Sequence, residues 1–402
     1  MNQILTINNH SKEPFILASS KSLERAAFYG VRSLLILYMV SETIDMSDKD
    51  ALDVYSWFSG SLLISKVIGG LFGDLFIGNR RAVILGGLVH AIGAFVLCIN
   101  SHLSLYIGVG LISLGSGIYY PNLLAQFGKY YREKTNLQDA GFMILFMSIS
   151  IGTVIGTTLI GYISYQSFTY GFVSAGILGL FSVFVFIKSG KPHLVEFETK
   201  KRNTNPKHLF ILSIITLTII FWGVSEWTGQ DLLSIQQEIA TNHSNIDLPE
   251  NSWPSSISST FAFILGIVAC IVWTYNYSRQ LVKLILGFLF ASLSIAIVII
   301  VKEVQSDNSF LVIIFAMFMM ALAETFVKPV THSVIAKYGD IKYLAIAFSL
   351  AVVPWHFLPI LTANLYSGDS FPVLIIGSLV FFLVAIGIIT FKLIKKKTYN
   401  IL

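Results

Sequence analysis

Charge is what this chain has least of. Only 12% of its 402 residues are Asp, Glu, Lys or Arg, against roughly 25% in soluble domains. That shortage excludes an ordinary soluble globular domain. Cysteine is nearly absent: Cys98 and Cys270 both lie inside apolar runs, so no disulfide framework or thiol metal site is indicated. A nucleotide loop, a nucleophile elbow and a metal-ligand cluster are missing as well. The chain is therefore not expected to be an enzyme or to hold a cofactor or metal. Its first residues lack the basic, apolar, small-residue order of a signal peptide, which leaves targeting to the first apolar helix.

What is there is apolar surface. Hydrophobic residues make up 54% of the chain, the mean hydropathy is +0.73, and Phe (31) and Gly (30) are abundant. This is the composition of a polytopic α-helical membrane protein, where glycine lets helices pack closely in lipid. Apolar runs predict helices at about 15–40, 54–73, 82–99, 104–127, 140–162, 169–187, 209–229, 254–275, 281–301, 309–335, 343–365 and 371–392. Residues 1–13 read as a disordered start, and 41–53 and 230–252 as acidic loops. The basic stretch 188–208 splits the chain into a six-helix half, 1–187, and a second half, 209–402. The expected fold class is an all-α membrane protein of twelve transmembrane helices.

Lys and Arg set the orientation. Of the 27, twenty fall on one side of this topology, only Lys49 and Lys302 on the other, and five within helices. The populated side is expected to be cytoplasmic, with both termini and the linker. A net charge of +5 sorted to one face of a bilayer points to the membrane, not to nucleic acid. The expected location is the cell membrane.

The five helical cations and their acidic neighbours are the candidate functional residues, because charge inside a bilayer is costly and normally faces a protein interior or a water-filled cavity. In Ser20–Val40, Lys21, Glu24, Phe28 and Arg32 share one helix face, with Arg25 beside it. Lys66 lies in the second helix, too deep to snorkel comfortably. That helix ends in Gly69, Gly70, Gly73, Asp74, Gly78, Arg80 and Arg81, where glycines permit close approach and Asp74 can cap or pair. Either a tight, positively flanked turn or a gating loop fits these residues. Pro121 interrupts the fourth helix and frees a carbonyl that Asn122 could satisfy; such a break is a packing kink or a cavity lining. Glu226 in the seventh helix is an intramembrane carboxylate suited to carrying a proton, or an interfacial one near water. Glu324 and Lys328 form an i, i+4 pair beside Pro329, a substrate site or a self-neutralised ion pair. His332 and His356 read as hydrogen-bonded core histidines, and Phe28, Tyr29, Trp57 and Trp355 as packing aromatics.

Taken together, these motifs resemble the proton-dependent oligopeptide transporter family of the major facilitator superfamily. The helix 1 pattern Glu-x-x-Glu-Arg, an aromatic pair, Gly, x, Arg is matched at Glu24, Arg25, Phe28, Tyr29, Gly30 and Arg32, with Lys21 at the first Glu. Helix 4 keeps Gly115, Gly117, Pro121 and Asn122 but has Tyr120 where the family has Lys. Helix 5 reads DAGFMILFMSISIG, with Phe146 and Ser150 at the Tyr and Asn positions. Helix 7 matches at Phe221, Trp222 and Glu226, with Trp227 at the usual Gln. Ser258 stands at the helix 8 Asn. Helix 10 keeps Glu324 and Pro329, with Ala323 for Gly and Lys328 for Ser.

The resemblance implies a proton-coupled symporter of di- or tripeptides, or a related small solute, working by alternating access between the two halves. It implies that Glu324 holds the peptide amino terminus and Arg32 the carboxylate. Tyr29, Tyr120, Asn122, Trp222 and Lys328 complete the substrate-site candidates. Glu24, Arg25, Glu226 and the substituted Lys21 would couple protons. Asp74, Gly70, Arg80, Pro121 and Pro329 would serve gating or structure. The departures have physical consequences: Lys21, Glu24, Arg25 and Tyr120 sum to +1, where the family's four sum to zero, and Lys328 can compete with a substrate amine. A divergent transporter of an acidic non-peptide solute, and a receptor or assembly protein that kept the scaffold, therefore remain open. Expected partners are a small peptide-like solute, protons and the lipid bilayer, and no nucleic acid.

Overall fold

The computed structural model describes residues 10–132, 134–190, 192, 205–243, 253–276, 278–304, 308–352 and 370–399. Among them run twelve helices: α1 (Lys12–Val40), α2 (Asp48–Phe72), α3 (Asn79–Val96), α4 (His102–Tyr130), α5 (Gln138–Ile155), α6 (Phe168–Ile187), α7 (Asn205–His243), α8 (Trp253–Tyr275), α9 (Gln280–Val304), α10 (Ser309–Tyr338), α11 (Ile341–Val352) and α12 (Ser370–Tyr399). Nine of the described helices are long and apolar enough to cross a membrane by length and composition. Helix α1 is not one of the nine, because it carries the charged group Lys21, Glu24, Arg25 and Arg32.

The helix starts follow cap chemistry. The Ser47 hydroxyl accepts from Asp50 N at 3.2 Å, and Asp48 and Asp50 occupy the first turn of α2. Carboxylates at a helix N-terminus meet its positive dipole end. The acidic stretch expected as a loop over 41–53 therefore becomes helical from Asp48. Ser101 and Ser104 form a reciprocal capping box at α4. Helix α7 also runs to His243, so the expected loop 230–252 is helix over its first part. Residues Lys12 and Glu13, expected in a disordered start, already belong to α1. The second half of the expected helix 343–365, with Trp355 and His356, lies outside the described residues.

Two π-turns extend helices. Gly73–Ile77 continues α2 and ends at Gly78, whose φ of +82° is a left-handed conformation suited to glycine. Gly156–Ile160 continues α5, which runs on as helix to Ser164. There glycine has a packing role, since a Cβ on Gly152 would meet Ser22 O at 2.1 Å and one on Gly156 would meet Ala26 O at 2.1 Å. These two glycines let α5 lie against the backbone of α1 on either side of the charged turn.

The chain forms two compact units. The first comprises Met1–Ile211 with Ile335–His356, the second Leu212–Val334 with Phe357–Leu402. In the first, α1 packs on α5 and α6, α4 on α2 and α3, and α3 on α6. One end is filled by Phe28, Val31, Leu34, Leu35, Tyr38, Phe58 and Phe172. In the second, α9 packs on α12. Phe221, Phe288 and Phe381 meet there with ring centroids 5.5–5.8 Å apart. Ser292 and Ser378 exchange bonds to each other's carbonyls at 2.9 and 3.0 Å, polar contacts of the kind that join helices in lipid.

Candidate functional site

The first unit is built around a buried ion cluster. Lys21 and Glu24 are each 1% exposed and Arg25 is 6% exposed. They lie within one turn of α1, so helical geometry alone brings them together. Lys21 Nζ donates to Glu24 Oε2 at 2.8 Å, and Arg25 reaches the same carboxylate through Nε at 2.8 Å and Nη2 at 2.5 Å. Ser116 of α4 accepts from Arg25 at 2.6 Å and donates to Glu24 at 3.2 Å. One carboxylate thus satisfies two cations and a hydroxyl. Removing one partner of such a pair costs about 3–5 kcal/mol, because the other charge stays buried.

Tyr120 lies where the resemblance implies a lysine. Its ring receives Lys21 Nζ at 4.2 Å, Lys66 Nζ at 5.4 Å and the Arg25 guanidinium at 6.0 Å from the centroid. Three cations therefore converge on an aromatic face, which attracts cations through its quadrupole. Arg25 also lies 4.3 Å from the Phe28 ring and 5.7 Å from Tyr29. Arg32, two turns on, donates to Tyr55 Oη at 2.8 Å, with its guanidinium 6.0 Å from the Tyr29 ring. Arg32 is thus held apart from the Glu24 cluster by α2, through a tyrosine that the motif reading did not single out.

A second polar joint ties α2, α3 and α4 together. Asn122 donates to Gly69 O and Ile118 O at 2.8 Å each and accepts from Asn79 at 2.8 Å. It takes the carbonyl of Ile118, one residue on from the carbonyl that Pro121 leaves free in α4. Both hydrogens and the oxygen of its amide are engaged in this joint. Asp74 accepts from Asn79 Nδ2 at 2.7 Å and from Ile346 N at 2.8 Å, at the start of α11 within the same unit. Gly70 faces the same helix, where a Cβ would meet Ser349 Oγ at 2.8 Å and Ala345 O at 2.9 Å. Arg80 caps the end of α6 by donating to Ile187 O at 2.9 Å and Gly190 O at 3.0 Å, a favourable cation at a helix C-terminus.

In the second unit, Lys328 and Glu324 pair at 2.6 Å with side chains 24% and 29% exposed. Lys328 Nζ also lies 4.8 Å from the Trp222 ring centroid. Glu226, one turn after Trp222 on α7, is half-buried and feels the charges of Glu324 and Lys328. Pro329 sits inside α10. His332 Nδ1 lies 2.9 Å from Lys328 O, the core role expected of it.

Four residues of the first unit were not marked by spacing. Ser20, Tyr119 and Ser182 form a hydroxyl cluster joining α1, α4 and α6, with Tyr119 Oη 2.7 Å from Ser20 Oγ and 3.1 Å from Ser182 Oγ. His90 of α3 is the fourth: it is 1% exposed, and its Nδ1 is 3.5 Å from Glu24 Oε1. A lone histidine in an apolar run has no periodic signature, and only the fold brings it to the carboxylate. Two surface hollows, of about 620 and 520 Å³, lie at the end of the unit bearing Tyr38, Asn100 and Asp45. Neither is lined by any member of the ion cluster.

Comparison with known proteins bears on this arrangement. Two bacterial relatives are each 28% identical. One, an uncharacterized transporter (YclF) of Bacillus subtilis, matches over 246 residues, 60% of this chain and 48% of its own. The other, a di-/tripeptide transporter of Lactococcus lactis subsp. lactis, matches over 206 residues, 49% of this chain and 41% of its own. The matches thus span about half the length of these relatives or less. Solved structures are similar over nearly the whole chain. A peptide transporter POT in complex with sulfate gives a TM-score of 0.59 at 22% identity, covering 94% of this chain and 95% of that one. A POT family transporter in complex with 5-aminolevulinic acid gives 0.61 at 18%, covering 95% and 96%. A human organic anion transporter gives 0.69 at 12%, covering 94% and 99%. At these identities the likeness is one of fold. The model of the Major Facilitator Superfamily matches residues 19–234, more than half of the chain and all of the ion cluster: the chain is a multi-pass membrane protein and belongs to that superfamily.

Proposed function

We propose that this chain is a secondary active transporter of the peptide-transporter type, a proton-coupled symporter of di-/tripeptides or a related small solute that works by alternating access. The observation that carries the reading is the buried Lys21–Glu24–Arg25 cluster. Three ionised side chains in a membrane helix are an expensive feature for a merely structural helix and a normal one for a solute or proton path. The relatives described above include a di-/tripeptide transporter, in keeping with this substrate class. In this reading Glu24, Arg25, Lys21 and Glu226 couple protons. Arg32, Tyr29, Tyr120, Asn122, Trp222, Glu324 and Lys328 contact substrate, with Lys328 competing with a substrate amine for Glu324. Asp74, Gly70, Arg80, Pro121 and Pro329 serve gating or hold the helices through the cycle. The halves are 1–187 and 209–402, the protein sits in the lipid of the cell membrane, and its termini face the cytoplasm.

A second reading has its own observation. Lys21 and Lys66 both approach the Tyr120 ring, so the interior of the first unit is richer in cations than a neutral zwitterion needs. Charge in such a poorly screened place favours an acidic solute. A thermal-shift screen of the purified protein separates the two, since a bound ligand raises apparent stability by mass action. Stabilisation by Ala-Ala and other dipeptides supports the peptide reading. Stabilisation by small dicarboxylates without any response to dipeptides replaces it with the acidic-solute reading.

A further inference from the structure

We propose that His90 is the proton-binding group of the N-terminal cluster, the atom set through which a proton enters the Lys21–Glu24–Arg25 network. The inference deepens the proton-coupled reading above and rests on it. His90 lies on α3; its Nδ1 faces the Glu24 carboxylate, and its Nε2 has no hydrogen-bond partner among the described residues. A neutral imidazole offers one N–H and one lone pair. Leaving Nε2 unsatisfied in the interior costs about 1–3 kcal/mol. The other ring nitrogen is brought close to one carboxylate, with Nδ1 3.5 Å from Glu24 Oε1. Close packing holds it there. The Phe28 ring meets it edge-on at 6.2 Å, and a Cβ on Gly115 of α4 would come within 2.4 Å of His90 N. The two backbones touch at that glycine.

The surrounding charges decide which group takes the proton. Helix α1 presents Lys21, Glu24 and Arg25. Helix α4 presents Tyr119 and Tyr120, and α2 contributes Lys66 beyond the Tyr120 ring. Helix α6, also packed on α3, brings Ser182 to the cluster and no charged side chain. The turn Gly73–Ile77 with Asp74 packs on α3 as well, but near Asn79, about 16 Å along the helix at 1.5 Å per residue. A proton placed on Glu24 would leave Lys21 and Arg25 as buried, unneutralised cations. A proton placed on His90 breaks neither pair: the imidazole lone pair takes the proton, no bond is cleaved, and the new N–H can close on Glu24 Oε1. The formal charge of Lys21, Glu24, Arg25 and His90 taken together then rises from +1 to +2. Glu24 is shared among more donors, and the excess positive charge is relieved by an anion such as a solute carboxylate. Proton and anion then favour each other's binding, and the coupling is reciprocal.

The test is to label the histidine rings of the full-length protein with ¹⁵N and follow them by NMR in detergent micelles. Of eight histidine signals, the one missing from His90→Gln is that of His90; His90→Asn serves if the glutamine variant does not fold. The expected result is conversion of this signal to imidazolium between about pH 5 and 8, with a larger imidazolium fraction at fixed pH when Ala-Ala is added. In His90→Gln the change of Ala-Ala affinity with pH shrinks by at least about fivefold, the lower end of ordinary site coupling. A His90 signal that stays neutral across the window overturns the proposal, as does a variant that keeps the wild-type pH profile of Ala-Ala accumulation. Should the wild type neither bind nor move Ala-Ala, the peptide reading fails, and the titration without ligand still decides on His90.

Discussion

Lys21 is the residue at which this chain departs most from the motif it resembles. An ammonium occupies a carboxylate position, and Tyr120 occupies a lysine position. The structure brings the two positions together, with Lys21 Nζ 4.2 Å from the Tyr120 ring and 2.8 Å from Glu24. The cation of helix 4 has in effect moved to helix 1, and the carboxylate it would replace is gone. This predicts strong non-additivity. Tyr120→Lys alone sets another ammonium against Lys21 and Lys66, and Lys21→Glu alone leaves two carboxylates to share Arg25. Together they restore a neutral sum. In chemical or thermal unfolding the double variant is expected to be more stable than the sum of the singles by about 1–3 kcal/mol, the range for residues in one network. Additive effects would show that the two positions do not interact. The charges of α1 were legible in the sequence, because a charge in an apolar run stands out. Tyr55 and His90 were not, because a single polar side chain declares no partner until the helices pack.

At the scale of elements, close approach governs. On α2 a Cβ at Gly69 would meet Gly117 O at 2.4 Å, and on α4 a Cβ at Gly117 would meet Ser65 Cβ at 2.3 Å. These glycines let the two helices touch by their backbones and set Tyr120 opposite Lys66. Gly117→Ala is expected to cost about 1–3 kcal/mol as an overpacked contact, read as a lower Tm of the purified protein. Gly60 and Gly110 have nothing within 4 Å of an added Cβ. Alanine there is expected to be neutral or to stabilise by up to about 1 kcal/mol through helix propensity. Equal losses at all three positions would refute the contact argument. Helix number and order were legible from the apolar runs. The start of α2 and the length of α7 were not, because polar residues that read as loops also make good helix ends and helix faces.

For the whole molecule, the bilayer makes the sequence readable. Backbone polar groups in lipid must be satisfied within a helix, so long apolar runs translate almost directly into elements. The segment Ile335–His356 clusters with the first unit through contacts such as Asp74 with Ile346 N and Arg132 with Gly339 O at 2.6 Å. Nothing in hydropathy signals such a long-range attachment. Coupled transport is read out by a single assay. Purified protein in liposomes is given an inward proton gradient, and labelled Ala-Ala uptake is followed with and without an uncoupler. A proton-coupled symporter accumulates Ala-Ala above the external concentration, and the accumulation collapses when the gradient is discharged. Uptake that only equilibrates, indifferent to the gradient, or no uptake by folded protein, would contradict it.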